Sequence, residues 1–146
     1  MIGIIAAMNS EYRLFRTKKN ELFNGAKFKI VKSGVGPQAA ANAALHLINS
    51  GCNIIMGWGF AGGLSAEFKC GQIIIANRFV AENIHYYSPT LLHQEFMKRL
   101  QALNPAEGTI LASDKPIFSA KKKQNLAKKL NAVAVDMESL GIISVT

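Results

Sequence analysis

The sequence predicts an α/β fold of three layers, α/β/α, with helices on both faces of a central mixed sheet. Short apolar runs suited to buried strands recur along the chain, and segments with apolar residues at spacings of three and four separate them. One hairpin signal, Asn24-Gly25, precedes an alternating segment, Lys27 to Lys32, which predicts an antiparallel or edge strand. Strands and helices in alternation with a single hairpin are typical of a layered domain around a mixed sheet.

The other elements of the first half follow from local patterns. Ile2 to Ala7 is a short isoleucine-rich run, which predicts a buried strand. A short helix is expected to begin near Glu11. Ala39 to Ile48 predicts a strong helix, because Pro37 just before it suits the first helical position. Asn53 to Met56 predicts a second buried strand.

The second half continues the same alternation. Leu91 to Leu103 has apolar side chains at helical spacing, which predicts an amphipathic helix. Ser119 is expected to cap a helix that ends at Leu130. The remaining predicted elements are strands at Ile73 to Ile75, Thr109 to Ala112 and Ala132 to Val135, and a helix over Asp136 to Val145.

Size and composition predict one globular domain, residues 1–146. Of the 146 residues, 49% are hydrophobic and 18% charged, which favours a folded core over disorder. No apolar run reaches the roughly 20 residues of a membrane-spanning helix. Cys52 and Cys70 form no metal-ligand spacing with the three histidines. We therefore predict a cytoplasmic protein with neither a metal site nor a membrane partner.

The net charge of +8 raises the alternative of a nucleic-acid partner. Five of the lysines, however, fall within KKKQNLAKK, Lys121 to Lys129, and no aromatic residue interleaves with them. Binding to nucleic acid commonly combines basic side chains with aromatic ones on which bases stack. The lysine run therefore predicts a solvated helix face, and we expect no nucleic-acid partner.

The stretch GWGFAGG, Gly57 to Gly63, has the glycine spacing of a dinucleotide-binding loop, and Glu82 stands where such a fold has a ribose-binding carboxylate. That loop must open a helix, because the pyrophosphate sits on the helix N-terminus. Only about nine residues separate Gly63 from the strand at Ile73, too few for a helical crossover. The stretch instead predicts a tight turn, or a strand end that a small ligand approaches, without a dinucleotide cofactor.

Three polar or glycine-rich segments follow predicted strands: AAMNSE, GFAGG and VDMES. Ligands of open α/β sheets bind where strands end. A carboxylate can accept two hydrogen bonds from a sugar diol. Carboxylates and glycines without a histidine or cysteine cluster therefore indicate a neutral, hydroxyl-rich ligand.

Four motifs occur in order along the chain: IGIIAAM-x-x-E, SGVGPQAAANAA, GFAGGL followed by KCGQIIIA, and AVDMES. Together, from Ile2 to Ile143, they resemble the purine nucleoside phosphorylase and nucleosidase superfamily. The sequence is most similar to its methylthioadenosine/S-adenosylhomocysteine and hopanoid-associated nucleosidases. The resemblance implies a nucleoside phosphorylase-like fold, hydrolysis of the N-glycosidic bond of an adenine-type nucleoside, no cofactor, and a homodimer or larger homo-oligomer.

The resemblance also implies residue roles. Glu11 corresponds to the carboxylate that activates the attacking water, and Glu138 to the glutamate that holds the ribose hydroxyls. Both are therefore candidate catalytic residues. The candidate substrate-binding residues implied in the same way are Phe60, Ala61, Gly62, Pro116, Ile117, Val135, Asp136 and Met137.

Departures from the family pattern leave alternatives open. The phosphorylases hold phosphate with an arginine just before the glycine loop, and Met56 and Gly57 occupy that place here, which favours water as the nucleophile over phosphate. Phe60 replaces a serine of the nucleosidases, and Pro116 replaces a common purine-stacking aromatic. The family's last strand, with its purine-protonating aspartate, and its last helix are expected to be lacking. Purine nucleoside phosphorolysis, or a truncated non-catalytic nucleoside-binding chain, is the alternative.

Overall fold

The computed structural model describes residues 1–16, 27–81 and 84–146. The Asn24-Gly25 hairpin signal and Glu82 lie outside these described residues. The elements in chain order are β1 (Ile2–Ala6), α1 (Asn9–Arg16), β2 (Phe28–Lys32), α2 (Pro37–Asn49), β3 (Ile54–Gly57), β4 (Gly62–Gly63), β5 (Ile74–Ala81), β6 (Ile84–Tyr87), α3 (Thr90–Arg99), a 3₁₀ helix (Gln101–Leu103), β7 (Ala106–Ala112), α4 (Ala120–Leu130), β8 (Ala134–Asp136) and α5 (Ser139–Ile143).

The chain groups into two compact units. The first contains Met1–Phe60 and Met137–Thr146, and the second contains Ala61–Asp136. Each unit has its own sheet and helices. The fold is thus of the predicted α/β class, with a mixed sheet in the second unit.

The sheet of the first unit is parallel, with strand order β2-β1-β3. The alternating segment forms β2, an edge strand as predicted, but it pairs in parallel with β1 rather than antiparallel. Ile5 of β1 packs in a buried cluster with Ala40, Ala44 and Leu47 of α2. The side chains of Ala40 and Ala44 are small, so α2 can approach the sheet closely.

Helix α5 also packs in the first unit, where Ile142 joins the same buried cluster. It lies very close to the first turn of α2. A Cβ atom on Gly141 would overlap the carbonyl oxygen of Pro37 and lie 2.6 Å from its carbonyl carbon. Only glycine fits this contact, because the neighbouring atoms belong to the backbone and cannot rotate away.

The sheet of the second unit is mixed, with order β4-β8-β7-β5-β6. Its three inner strands are parallel, and the outer strands β4 and β6 pair antiparallel. A second buried cluster forms its core, with Leu126 and Leu130 of α4 packed against it. Ser119 caps α4 as predicted, because its hydroxyl accepts a hydrogen bond from the backbone N–H of Lys122 at 3.3 Å.

The glycine-rich stretch does not open a helix. Gly62 and Gly63 form β4, which pairs with Val135 and Ala134 of β8. Residues 64–73, described in full, contain neither helix nor strand. This agrees with the sequence argument against a dinucleotide loop, since no helix N-terminus is present there to receive a pyrophosphate.

Basic side chains of the second unit lie in two different surroundings. The lysines at 121, 122, 128 and 129 on α4 are exposed, as predicted for a solvated face. Arg78 is held by protein groups, since its guanidinium donates to Thr109 Oγ1 and to the carbonyl of Leu130, both at 3.1 Å. Within the described ranges, no helix has both the length and the apolar character to cross a membrane.

Candidate active site

Glu11 lies in the first turn of α1, and its side chain is buried, with only 2% of the residue exposed. Its carboxylate accepts three backbone hydrogen bonds. Oε2 accepts from the N–H groups of Ala7 at 3.0 Å and Met8 at 2.9 Å, and Oε1 accepts from Phe60 at 2.9 Å. Burial of a carboxylate is costly unless it is hydrogen-bonded, so these three donors explain how Glu11 is tolerated there.

The number of hydrogen bonds that Glu11 already accepts shows how many more its carboxylate can accept. An ionised carboxylate offers about four acceptor positions. The described backbone fills two on Oε2 and one on Oε1, which leaves one position on Oε1. A general base needs such an acceptor position within hydrogen-bond reach of the water or hydroxyl group that it deprotonates.

Glu138 stands at the N-terminal boundary of α5 and is half-buried. Its Oε1 accepts a hydrogen bond from the N–H of Gly36 at 2.9 Å, and its Oε2 accepts from Met137 at 3.3 Å. Gly36 is the residue that precedes α2, and no side chain caps that helix. The carboxylate therefore supplies negative charge at a helix N-terminus, where the helix dipole favours it.

Both carboxylates are bound to loops at one edge of the three-stranded sheet. Ala7 and Met8 follow β1, Gly36 follows β2, and Phe60 follows β3. Since these strands are parallel neighbours, their carboxyl ends share one edge of the sheet. The backbone groups that bind Glu11 and Glu138 therefore lie in loops at one edge of the sheet, and ligands of α/β sheets bind at such an edge.

Apolar side chains accompany the carboxylates. Met8, Val35 and Phe60 lie in the same three loops, and all three are exposed, Phe60 to 71%. Phe60 thus donates its backbone N–H to Glu11 while it presents its ring to solvent. An exposed aromatic ring beside carboxylates can contact a ligand that has both an apolar ring and hydroxyl groups.

The remaining candidate residues belong to the second unit. Gly62 pairs with Val135 across β4 and β8. The carbonyl of Asp136 accepts a hydrogen bond from the N–H of Ser113 at 2.9 Å. Ile117 packs against the buried cluster that contains Val135, whereas Ala61 and Pro116 are exposed. Gly62, Val135 and Ile117 are thus close to one another, and Ile117 contributes to the core of this unit.

Two groups of residues that bind the candidate carboxylates were not predicted from the sequence. No role was predicted for Gly36, although its N–H donates a hydrogen bond to Glu138. No role was predicted either for the backbone of Ala7 and Met8, which binds Glu11. A local signal for Gly36 existed, because a glycine directly before the proline that opens a helix leaves the helix without a side-chain cap.

A family model described as the Phosphorylase superfamily matches residues 2–146. The match spans nearly the whole chain and includes both sheets and both carboxylates. The chain belongs to the Phosphorylase superfamily.

Solved structures share this fold. A futalosine hydrolase mutant of Helicobacter pylori is 18% identical with a TM-score of 0.86, and the match covers 99% of this chain and 81% of that one. The 5'-methylthioadenosine/S-adenosylhomocysteine nucleosidase of Neisseria meningitidis, in complex with methylthio-immucillin-A, is 21% identical with a TM-score of 0.86 and coverages of 99% and 78%. The nucleosidase of the same name from Helicobacter pylori is 20% identical with a TM-score of 0.85 and coverages of 99% and 77%.

Proposed function

We propose that this protein hydrolyses the N-glycosidic bond of a nucleoside, and that its substrate is an adenosine with a substituent at the 5' position. The observation that carries the proposal is the buried Glu11 carboxylate, which three backbone N–H groups fasten at the ligand-binding edge of the sheet. Glu138 is bound to the neighbouring loop at the same edge. The names of the similar structures, nucleosidases and a futalosine hydrolase, support the same reaction.

In the proposed reaction, the bond between the anomeric carbon and the purine nitrogen breaks, and the ribosyl group gains oxocarbenium character. A water molecule donates one proton to Oε1 of Glu11 and forms the new carbon–oxygen bond. The leaving purine takes up a proton from solvent, and Glu11 afterwards returns its proton to solvent, so that free base and free sugar result and one water molecule is consumed overall. Glu138 accepts hydrogen bonds from the ribose hydroxyls, and its negative charge stabilises the positively charged ribosyl group.

The substrate-binding residues remain part of the proposal. Phe60 and Met137 of the first unit contact the sugar or base through apolar surface. In the second unit, the assigned residues are Ala61, Gly62, Pro116, Ile117, Val135 and Asp136. We further propose a cytoplasmic homodimer or larger homo-oligomer, which light scattering would test, since a monodisperse monomer would contradict it.

The test of the function is adenine release from methylthioadenosine and S-adenosylhomocysteine, followed by chromatography with and without phosphate. Release without phosphate supports hydrolysis. Release that requires phosphate supports the alternative, phosphorolysis, which the name of the superfamily favours. The contacts of Arg78 with Thr109 and Leu130 count against that residue as a phosphate ligand. No release of adenine from a folded sample contradicts both reactions for these nucleosides.

Glu11→Gln tests the assigned base. Turnover is expected to fall by about 10²- to 10⁴-fold. The variant also places an amide N–H₂ group where a carboxylate oxygen faced a backbone donor, which costs about 1–3 kcal/mol of folding free energy. The thermal unfolding midpoint must therefore be measured beside turnover. Glu67→Gln is the matched control, because Glu67 is exposed and is expected to change neither quantity. If Glu11→Gln lowers stability but leaves turnover intact, Glu11 has a structural role only.

A further inference from the structure

Gly59 lies directly against the carboxyl group of Glu11. A Cβ atom added to Gly59 would be 2.7 Å from Oε1, 2.9 Å from Cδ and 3.2 Å from Oε2. Atoms in ordinary contact stay at 3.4 Å or more. The carboxyl group therefore occupies the space that any side chain at position 59 would need.

Backbone conformation does not account for this glycine. Positive φ angles occur at Gly34, Gly36, Gly51 and Gly71 among the described glycines, and Gly59 is not one of them. Its backbone conformation is open to other residues. The missing side chain, rather than conformational freedom, is what the contact with Glu11 requires.

We propose that Gly59 is a positioning residue for the Glu11 carboxylate, an inference that rests on the proposed function. The N–H groups of Ala7, Met8 and Phe60 fasten the two oxygens, and the bare backbone of Gly59 forms a wall beside them. The glycine spacing by itself predicts a tight turn or a strand end that a small ligand approaches. At Gly59, the group that approaches is the protein's own carboxylate.

The contacts predict which hydrogen bond a side chain would disturb first. Oε1 would be the nearest atom to the new Cβ, and Oε1 is also the oxygen that accepts from Phe60. Relief of the 2.7 Å contact moves this oxygen by several tenths of an ångström, which lengthens its bond to Phe60. Oε1 also carries the acceptor position left open for water, so the same shift misplaces the proposed base.

The test compares Gly59→Ala with Gly63→Ala. Gly63 has no positive φ, and its added Cβ would meet no atom within 4 Å, so it is the matched control. A misplacement of about 1 Å can cost about 10²-fold in rate. We therefore expect Gly59→Ala to lower kcat by about 10- to 10²-fold with KM changed less than twofold. Gly63→Ala should change neither. An unchanged kcat, or a raised KM alone, overturns the inference, because Gly59 would then act on the ligand or on nothing.

Amide hydrogen exchange provides a readout that does not depend on activity. Gly59→Ala should speed exchange at the Phe60 amide at least tenfold, whereas Gly63→Ala should not. If the wild type shows no turnover and the Phe60 amide still responds, the proposed function fails and the positioning contact stands. If turnover is present and that amide does not respond, the positioning inference fails alone.

A compensating substitution completes the test. Glu11→Asp shortens the side chain by one methylene group and makes room for a methyl group at position 59. In the Glu11→Asp background, Gly59→Ala should therefore lower kcat by less than threefold, a non-additivity that contacting residues show. If Gly59→Ala alone does not fold, this background should restore folding. A loss of the same size in both backgrounds, or failure to fold in both, overturns the inference.

Discussion

Gly141→Ala is a substitution for which two physical effects predict opposite signs. Gly141 lies inside α5, and glycine in a helix interior is less favourable than alanine by about 1 kcal/mol. Helix propensity alone therefore predicts a more stable protein. The packing of α5 against α2 predicts the reverse, because the added methyl group would meet the backbone of Pro37.

The distances show which effect is larger. The new Cβ would overlap the Pro37 carbonyl oxygen and lie 2.6 Å from the carbonyl carbon. A retreat of α5 by 0.8 Å would bring the carbon alone to an ordinary 3.4 Å contact, and a larger retreat is needed to clear the oxygen. Overpacking of this kind costs about 1–3 kcal/mol. The retreat also weakens the hydrogen bond from Gly36 to the Glu138 carboxylate, and a hydrogen bond to a charged group contributes about 1.5–3 kcal/mol. With a propensity gain of about 1 kcal/mol subtracted, the net loss expected is about 1.5–5 kcal/mol.

Thermal unfolding followed by circular dichroism measures this loss. For a chain of this length, 1 kcal/mol corresponds to roughly 3 °C in the unfolding midpoint, so the midpoint should fall by about 5–15 °C. Gly63→Ala is again the control and should stay within about 0.5 kcal/mol of the wild type. A midpoint for Gly141→Ala that is unchanged or raised would refute the close contact between α5 and α2.

Three further substitutions follow from the described contacts. Gly36→Ala should destabilise by about 1–3 kcal/mol in urea unfolding, because φ of 99° with ψ of 165° is a conformation that essentially only glycine adopts; equal stability would contradict it. Ser119→Ala should cost about 1 kcal/mol through loss of the α4 cap, and Lys122 amide exchange should quicken. Arg78→Lys should lower the free energy of unfolding by about 1–3 kcal/mol, because lysine cannot donate to both Thr109 and Leu130 as the guanidinium does. A thermal unfolding midpoint equal to that of the wild type would contradict this prediction.

Local patterns in the sequence were sufficient to predict most of the helices and strands. The alanine run with Pro37 predicted α2, and Ser119 predicted the start of α4. Pairing partners were not predictable in the same way, because they depend on distant residues. The alternation in β2 predicted a strand with one face exposed to solvent. It did not indicate the partner, because the parallel strand β1 lies some 26 residues earlier. The strand β6 was missed, because Ile84 to Tyr87 is short, largely exposed and without clear alternation.

The candidate site was predictable only as a set of residue types. Glu11 and Glu138 were identified from their motifs, and the structure now supplies the groups that hold them. Those groups are backbone N–H donors, which every residue except proline has. Phe60 is 49 residues from Glu11, and Gly36 is 102 residues from Glu138. A local sequence pattern does not indicate which distant backbone N–H groups will bind a given side chain. The loops that bind Glu11 and Glu138 could therefore not be predicted from the sequence.

The division of the first unit into two chain segments has a consequence for synthesis on the ribosome. The second unit is continuous in sequence, whereas the first needs Met137–Thr146 for its completion. The hydrogen bond between Gly36 and Glu138 cannot form until Glu138 has been synthesised, and Glu138 is 102 residues further along the chain. At about 5–20 residues per second, this interval is about 5–20 s. Once β3 has also been made, the nascent chain has every strand of the parallel sheet and Glu11 but not α5. From then until Ile142 is made, the apolar surface of α2 that Ile142 covers in the folded protein has no α5 to pack against it.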